Sequence, residues 1–357
     1  VKIFYQYSSC KTLTPTKGDL ITEIGILTAL NQFADVYYSG TKFDPSVLGY
    51  GLVDYPGAIE DRVTDAYDIY YIRANTAAFR KIPKGKPKLW MAAPFDEYCY
   101  RHATAVVTFS NAWKRDLRGP NLYTWVDKKH SHVAKKVVTI YQVVSDNFKP
   151  MQSSARAKQI RTQVGGDFIV SFFGCTRKSR YPFGFLQVWH KFVTAHPGAR
   201  LLLATTESPK SISFPKHLPN VVRMSFAHSD MPYALSASDL LLIGRQQATG
   251  EICGCSKTIE AAACGTPILL GKHAARIEAL GEDYPFFQPP IGGWNSGESG
   301  ILQDGISALR MLRLIIGNDS LRQQVSKELP ARVKKFSVVE SGHRLKKLFR
   351  KLTKDKV

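Results

Sequence analysis

The sequence predicts a two-domain α/β protein made of two doubly wound parallel sheets. Three observations lead there. The chain has 357 residues, too many for one ordinary core and enough for two domains of about 150–200 residues each. Short apolar runs alternate with amphipathic stretches, the pattern of strands and crossover helices in a parallel sheet. The pattern stops near residue 150 and then restarts.

Residues 1–7 read as a strand. Residues 19–33 read as a helix, because Leu20, Ile24, Leu27, Ala29 and Leu30 recur at helical spacing. Further strands are predicted over 34–39, 68–72, 88–92, 105–109 and 137–140. Three of them run into polar or turn residues: Arg73-Ala74-Asn75, Pro94-Phe95-Asp96 and Ser110-Asn111. In doubly wound sheets the loops beyond the carboxyl ends of strands form the ligand crevice. Arg73, Asn75, Asp96 and Ser110 are therefore candidate cleft residues. Residues 144–154 are polar, carry Pro150 and read as the linker.

The second half repeats the alternation. Strands are predicted over 167–173, 200–204, 221–224, 239–243 and 267–270, and helices over 183–195, 231–238 and 257–263. The stretch 336–352 reads as a terminal helix with Leu345, Leu348, Phe349 and Leu352 on one stripe. The predicted division is 1–148, 149–335 and a terminal helical segment in 336–357, with a cleft between the two sheets.

Composition narrows the function. Apolar residues make up 44% and charged residues 22%, a globular balance rather than a disordered one. No apolar run approaches the roughly 18–20 residues that span a bilayer, and no targeting segment is visible, although what precedes Val1 is left open. Six scattered cysteines do not make a disulfide framework. Cys253 and Cys255 form a Cys-x-Cys pair with no second pair at zinc-site spacing. The cysteines read as small apolar residues in a reducing compartment, so the expected location is the cytoplasm, at most peripheral to a membrane. Lys and Arg number 49 against 29 acids, a net +20. One nucleotide carries only about two or three charges, so two readings stay open: an anionic acceptor or surface (membrane, polysaccharide or nucleic acid), or a generic solubility surface.

The sharpest segment runs Glu251-Ile-Cys-Gly-Cys-Ser-Lys-Thr-Ile-Glu260-Ala-Ala-Ala-Cys-Gly265-Thr-Pro267. Gly254, Cys255 and Ser256 read as a tight turn opening a helix at about Lys257. Gly265 stops that helix and Pro267 bars its continuation. A helix start offers unpaired N–H groups and partial positive charge, and Lys257 adds a full charge, which suits a diphosphate. Thr258 lies in the same first turn. Glu260 is placed to accept ribose hydroxyls and Glu251 to accept sugar hydroxyls. A plain strand–turn–helix with a satisfied start is the structural alternative. Phe172-Phe-Gly174-Cys-Thr-Arg177-Lys178 supplies cations at a strand's carboxyl end, a clamp for a leaving group that gains charge. Arg177, Lys178 and Arg180 compete for that role. The alternative there is a solvated basic loop.

These segments resemble the retaining GT-B glycosyltransferases of glycosyltransferase family 4. The family carries two glutamates followed by Ala-x-Ala-x-Gly-x-Pro, which Glu260-Ala-Ala-Ala-Cys-Gly265-Thr-Pro267 matches closely. This chain has one more residue between Glu251 and Glu260 than the family does, which the turn must absorb. The resemblance covers about residues 140–350, with Tyr141 to Pro150 similar to the family's interdomain crossover and His228 to Asp239 similar to its short helix leading into a strand. It implies GT-B architecture, with two Rossmann-like domains facing a cleft. It also implies a nucleotide-diphosphate sugar as donor and transfer to an acceptor hydroxyl with retention, as a hexosyl- or pentosyltransferase. Glu251 then contacts the donor sugar, Glu260 the ribose, and the basic loop the diphosphate. Acceptor recognition falls to the N-terminal half, where Gly18 is the nearest counterpart of a family glycine and His102 falls in a predicted helix. No Asp-x-Asp pair occurs, so transfer is expected to need no metal and no cofactor. Donor, acceptor and oligomeric state are left open. The competing readings are a GT-B epimerase or phosphorylase, a nucleic-acid-directed glycosyltransferase, and a basic nucleic-acid-binding module with a degenerate sugar site.

Overall fold

A computed structural model of the protein describes residues 1–7, 18–39, 65–73, 76–91, 97–109, 111, 136–174, 183–204, 218–243, 256–289 and 297–353. The chain divides into two compact units, Val1–Ser145 with Lys335–Val357, and Asp146–Lys334.

Unit 1 begins with β1 (Lys2–Tyr7), α1 (Gly18–Asn31), β2 (Asp35–Ser39) and β3 (Ile69–Arg73). It continues through α2 (Thr76–Lys81), β4 (Lys88–Met91), α3 (Glu97–His102), β5 (Ala105–Thr108) and β6 (Val137–Thr139). The sheet order is β2-β1-β3-β4-β5-β6, and every pairing is parallel. Central strands covered on both faces need apolar residues at every position, and β5 is buried throughout. Aromatic residues fill both faces of β1 and β3. Tyr5 meets Tyr71 edge-to-face at 4.8 Å, while Phe4 contacts Tyr67 and Tyr70 at 5.1 and 5.9 Å. Such pairs add about 0.5–1.5 kcal/mol beyond burial. Strand order reverses at β1, so the topological switch point lies between β1 and β3, where Tyr7 is paired with Arg73.

Unit 2 holds α4 (Ala155–Val164), β7 (Phe168–Phe173), α5 (Phe183–Ala195), β8 (Ala199–Ala204), β9 (Val221–Met224), α6 (Met231–Ser236) and β10 (Leu240–Ile243). It ends with α7 (Ser256–Ala263), β11 (Ile268–Gly271), α8 (Ala274–Leu280), β12 (Phe287–Gln288), α9 (Gly297–Gly317) and α10 (Asp319–Val333). The order β12-β11-β10-β7-β8-β9 is that of a dinucleotide-binding sheet, reversing between β7 and β10. All six residues of β7 are buried. Its one hydroxyl is satisfied, Ser171 Oγ donating to the Leu240 carbonyl at 3.2 Å. Asp239 ties the same strands: its Oδ2 accepts from the Ile169 amide at 2.7 Å and lies 3.0 Å from Arg161.

After unit 2 the chain returns to unit 1 as α11 (Val338–Leu352). Val144 bridges to Ser337 in parallel. The helix begins two residues later than the apolar spacing alone suggests. Ser337 Oγ accepts from the Glu340 amide at 3.3 Å and caps it, and Phe336 belongs to the preceding 3-10 turn. Leu345 and Phe349 are buried, and the Phe349 ring lies 6.0 Å from Phe33, edge-on, just beyond α1. Leu348 and Leu352, on the predicted stripe, are only half-buried.

Candidate functional site

The switch point of unit 2 is framed by the carboxyl end of β7 and by α7, the helix after β10. Gly174 is the first residue beyond β7. Its amide donates to the Ala204 carbonyl at 3.0 Å, and its φ of +128° is a conformation that side chains rarely adopt. The absence of a side chain also makes room. A Cβ there would lie 3.1 Å from Lys257 Cε and 3.4 Å from Lys257 Nζ. The second residue of α7 thus stretches its amine across the end of β7.

The local sequence explains why α7 is set this way. Six of its eight residues are buried, Thr258 to Ala263, and three small alanines let it pack close. Gly265, at φ +71°, turns the chain after the helix, its amide donating to Ala262 and that of Thr266 to Ala261. Thr266 Oγ1 bonds the Leu235 carbonyl at 2.8 Å, and Gln152 Nε2 bonds the Cys264 carbonyl at 3.0 Å.

Lys257 is the electrostatic centre of the cluster. Glu260, one turn along, is 5% exposed. Burial pushes its carboxyl up, and the Lys257 ammonium partly opposes that shift. His228, ahead of α6, is held down to about 4, first by burial and second by the Lys257 charge. Its ring packs 5.6 Å from Phe148. Among the described residues neither its Nε2 nor the buried Thr258 Oγ1 has a hydrogen-bond partner. Burial and the Glu260 charge raise the Cys264 thiol, which leaves that buried cysteine unreactive.

The His228 shift sets a pH window. Its folded pKa lies below the ordinary value, so between about 6.5 and 4 the unfolded chain binds more protons. Stability is full above the window and falls as pH drops through it. Urea unfolding at pH 7 and 4.5 checks this: His228→Gln should lose about 2 kcal/mol less than the wild type between the two pH values.

Of the sequence-predicted donor residues, Gly174, Ser256, Lys257, Thr258 and Glu260 converge at this switch point. In unit 1, Gly18 is the first residue of α1 and Arg73 the last of β3, flanking the β1/β3 switch point, with the Arg73 guanidinium 5.5 Å over the Phe109 ring. Arg177, Lys178, Arg180, Glu251, Gly254, Cys255, Asn75, Asp96 and Ser110 lie outside the described residues. His102 ends α3 and is exposed. His228 is the residue the sequence reading missed. The rule that singled out the loops after strands in the first half finds it too, since it comes after β9. Among the described residues no group of three or more His, Cys, Asp or Glu is placed to hold a metal.

No protein-family model matches the chain, and no curated protein matches it in sequence. Solved structures do match. A glycosyltransferase from Rickettsia africae superposes with a TM-score of 0.72 at 12% identity, covering 99% of both chains. HepE of Anabaena, in complex with UDP and glucose, gives 0.64 at 15% identity, covering 97% of this chain and 98% of that one. The catalytic domain of starch synthase IV from Arabidopsis thaliana, bound to ADP and acarbose, gives 0.61 at 11% identity over 99% of both. This chain has the GT-B fold. Its two parallel six-stranded sheets match these solved structures over nearly the whole chain.

Proposed function

We propose that the protein is a retaining glycosyltransferase that moves a sugar from a nucleotide-diphosphate donor to an acceptor hydroxyl. The observation that carries the reading is the convergence of Gly174, Lys257 and Glu260 at the β7/β10 switch point of a GT-B fold. HepE, solved with UDP and UDP-glucose, supports a nucleotide sugar as donor. On this reading unit 2 holds the donor: the α7 start and Lys257 take the diphosphate, Glu260 the ribose and Glu251 the sugar. Arg177 and Lys178, with Arg180, stabilise the departing diphosphate. Unit 1 holds the acceptor near Gly18, Arg73, Asn75, Asp96 and Ser110.

The chemistry asks little of side chains as acids or bases. The acceptor oxygen attacks C1 on the face from which the diphosphate leaves. The C1–O bond to phosphate breaks as the new one forms, and the acceptor's proton passes to a phosphate oxygen. The protein positions the partners and stabilises negative charge growing on the leaving group. Lys257, the basic loop and the α7 dipole supply positive charge there, so no metal is required.

A thermal-shift panel of UDP-, ADP- and GDP-sugars tests the donor. A ligand at about 100 times its dissociation constant stabilises by about 2.7 kcal/mol, and the matching donor should stand out by such a shift. Arg177→Ala and Lys178→Ala should then lower turnover more than donor affinity. Wild-type turnover in both would move the clamp to Arg180 and Lys257. A panel without any stabilising nucleotide sugar would overturn the assignment.

A further inference from the structure

In unit 1 the described connections that lead from helices back into strands lie at the amino-terminal edge of the sheet, opposite the carboxyl edge that carries Arg73. Much of the exposed basic charge of the described part of unit 1 gathers there. Lys2 stands at the start of β1, Arg80 and Lys81 at the end of α2, Lys84 in the turn before β4, and Arg101 at the end of α3. The end of α11 joins them, because the Phe349 ring meets Phe33 in the turn between α1 and β2, which brings exposed Arg350 and Lys351 to this edge. Of the acids on these connections, Asp35 and Asp65 are exposed and Asp68 is half-buried. Tyr98 completes the patch: it is 37% exposed, with the Arg80 guanidinium 4.7 Å over its ring and His102 4.3 Å away.

We propose that this edge docks unit 1 on an anionic phospholipid bilayer. Only unit 1 is involved, and the proposal is independent of the donor reading. Six strands about 4.8 Å apart make an edge about 24 Å wide, far too broad for one phosphate and suited to a field of head groups. The charges sit on short connections and helix ends, and no described ribbon or recognition helix stands out from the edge to enter a nucleic-acid groove. An exposed tyrosine among basic side chains suits the head-group level, where its ring is apolar and its hydroxyl wet. No described helix is long and apolar enough to cross a membrane, and the attachment proposed for this edge is peripheral and electrostatic. Strands of three to six residues put the two edges about 10–20 Å apart. Docking therefore leaves the carboxyl edge of unit 1 facing away from the bilayer.

The test is co-sedimentation of the full chain with vesicles of phosphatidylcholine alone or with about one-third phosphatidylglycerol. It is run at low salt and at about 0.5 M salt, where the screening length is only about 4 Å. Binding should require the anionic lipid and vanish at high salt. Combined Arg80→Glu, Lys84→Glu and Lys351→Glu should lower affinity at least about a hundredfold, with nucleotide-sugar stabilisation unchanged. The Arg80→Gln, Lys84→Gln and Lys351→Gln variant, which guards against misfolding, should fall between. Lys158→Glu, Lys191→Glu and Lys327→Glu in unit 2 should leave binding intact. The proposal fails if the wild type ignores anionic vesicles, if the edge variants bind like the wild type, or if the unit 2 reversals abolish binding equally. It also fails if duplex DNA binds more tightly than the vesicles with the same dependence on the edge residues.

Discussion

Replacing Lys257 with Met should lower turnover by about a hundred- to a thousandfold, a loss typical of removing one preorganised group that stabilises charge in the transition state. The expectation rests on the place of the amine. It lies across Gly174 at the end of β7, and its charge is felt by both Glu260 and His228. Donor affinity should fall less than turnover, because negative charge on the diphosphate grows as the C1–O bond breaks. Two further readouts separate this role from a structural one. Loss of the ammonium should raise the His228 pKa above its present value of about 4, which nuclear magnetic resonance of the ring protons can follow. Gly174→Ala keeps the lysine but puts a methyl group 3.1 Å from its Cε, so turnover should fall in the same direction. The φ of +128° adds a stability loss of about 1–3 kcal/mol. Full activity in a folded Lys257→Met variant would remove the lysine from the mechanism.

Glu260→Gln should weaken donor binding at least about tenfold and, at neutral pH, make the empty protein more stable. The two effects have one cause. The carboxyl is buried, its pKa is raised by desolvation, and Lys257 offsets only part of that. A raised carboxyl pKa contributes stability below the unfolded value and loses it as pH climbs through the folded value. At neutral pH, where the carboxyl of the unfolded chain is ionised, burying this group therefore costs the fold stability, a cost that a neutral amide of the same shape removes. In the complex the carboxylate accepts ribose hydroxyls, and a hydrogen bond to a charged group is worth about 1.5–3 kcal/mol. Denaturant midpoints and nucleotide titrations on the same preparation check both halves. Unchanged nucleotide affinity in a folded variant would withdraw Glu260 from the donor site.

The legibility of the sequence tracked burial. Strands such as β7, Phe-Ile-Val-Ser-Phe-Phe, and β10, Leu-Leu-Leu-Ile, are covered on both faces and read as unbroken apolar runs. Helices α4 and α10 escaped notice because they bury little, only Ala157, Ile160 and Val164 in the first and Val325, Leu329 and Val333 in the second. Pro330 inside α10 also argues locally against a helix. Helix α9 carries glycines at 297, 300 and 305 in its first half, and β12 has two residues. The α7 part of the site was legible because one continuous segment, from Ser256 to Pro267, carries its helix start, its lysine, its glutamate and its stop. The contact between Gly174 and Lys257 was not, since it joins residues far apart in the chain and depends on which strands are neighbours. His228 is a different case: the rule that singles out loops after strands reaches it, but its electrostatic weight comes from the Lys257 charge beside it, which the sequence around it does not show.

The donor reading stands or falls on whether unit 2 holds a nucleoside diphosphate between Gly174 and the start of α7. A crystal structure of the protein grown with the nucleoside diphosphate that stabilises it most, UDP, ADP or GDP, decides this. The diphosphate should lie at the carboxyl ends of β7 and β10, with the Lys257 amine about 3 Å from a phosphate oxygen and Glu260 on the ribose. A nucleotide bound elsewhere on unit 2, with Lys257 still lying across Gly174 and touching no phosphate, would contradict it.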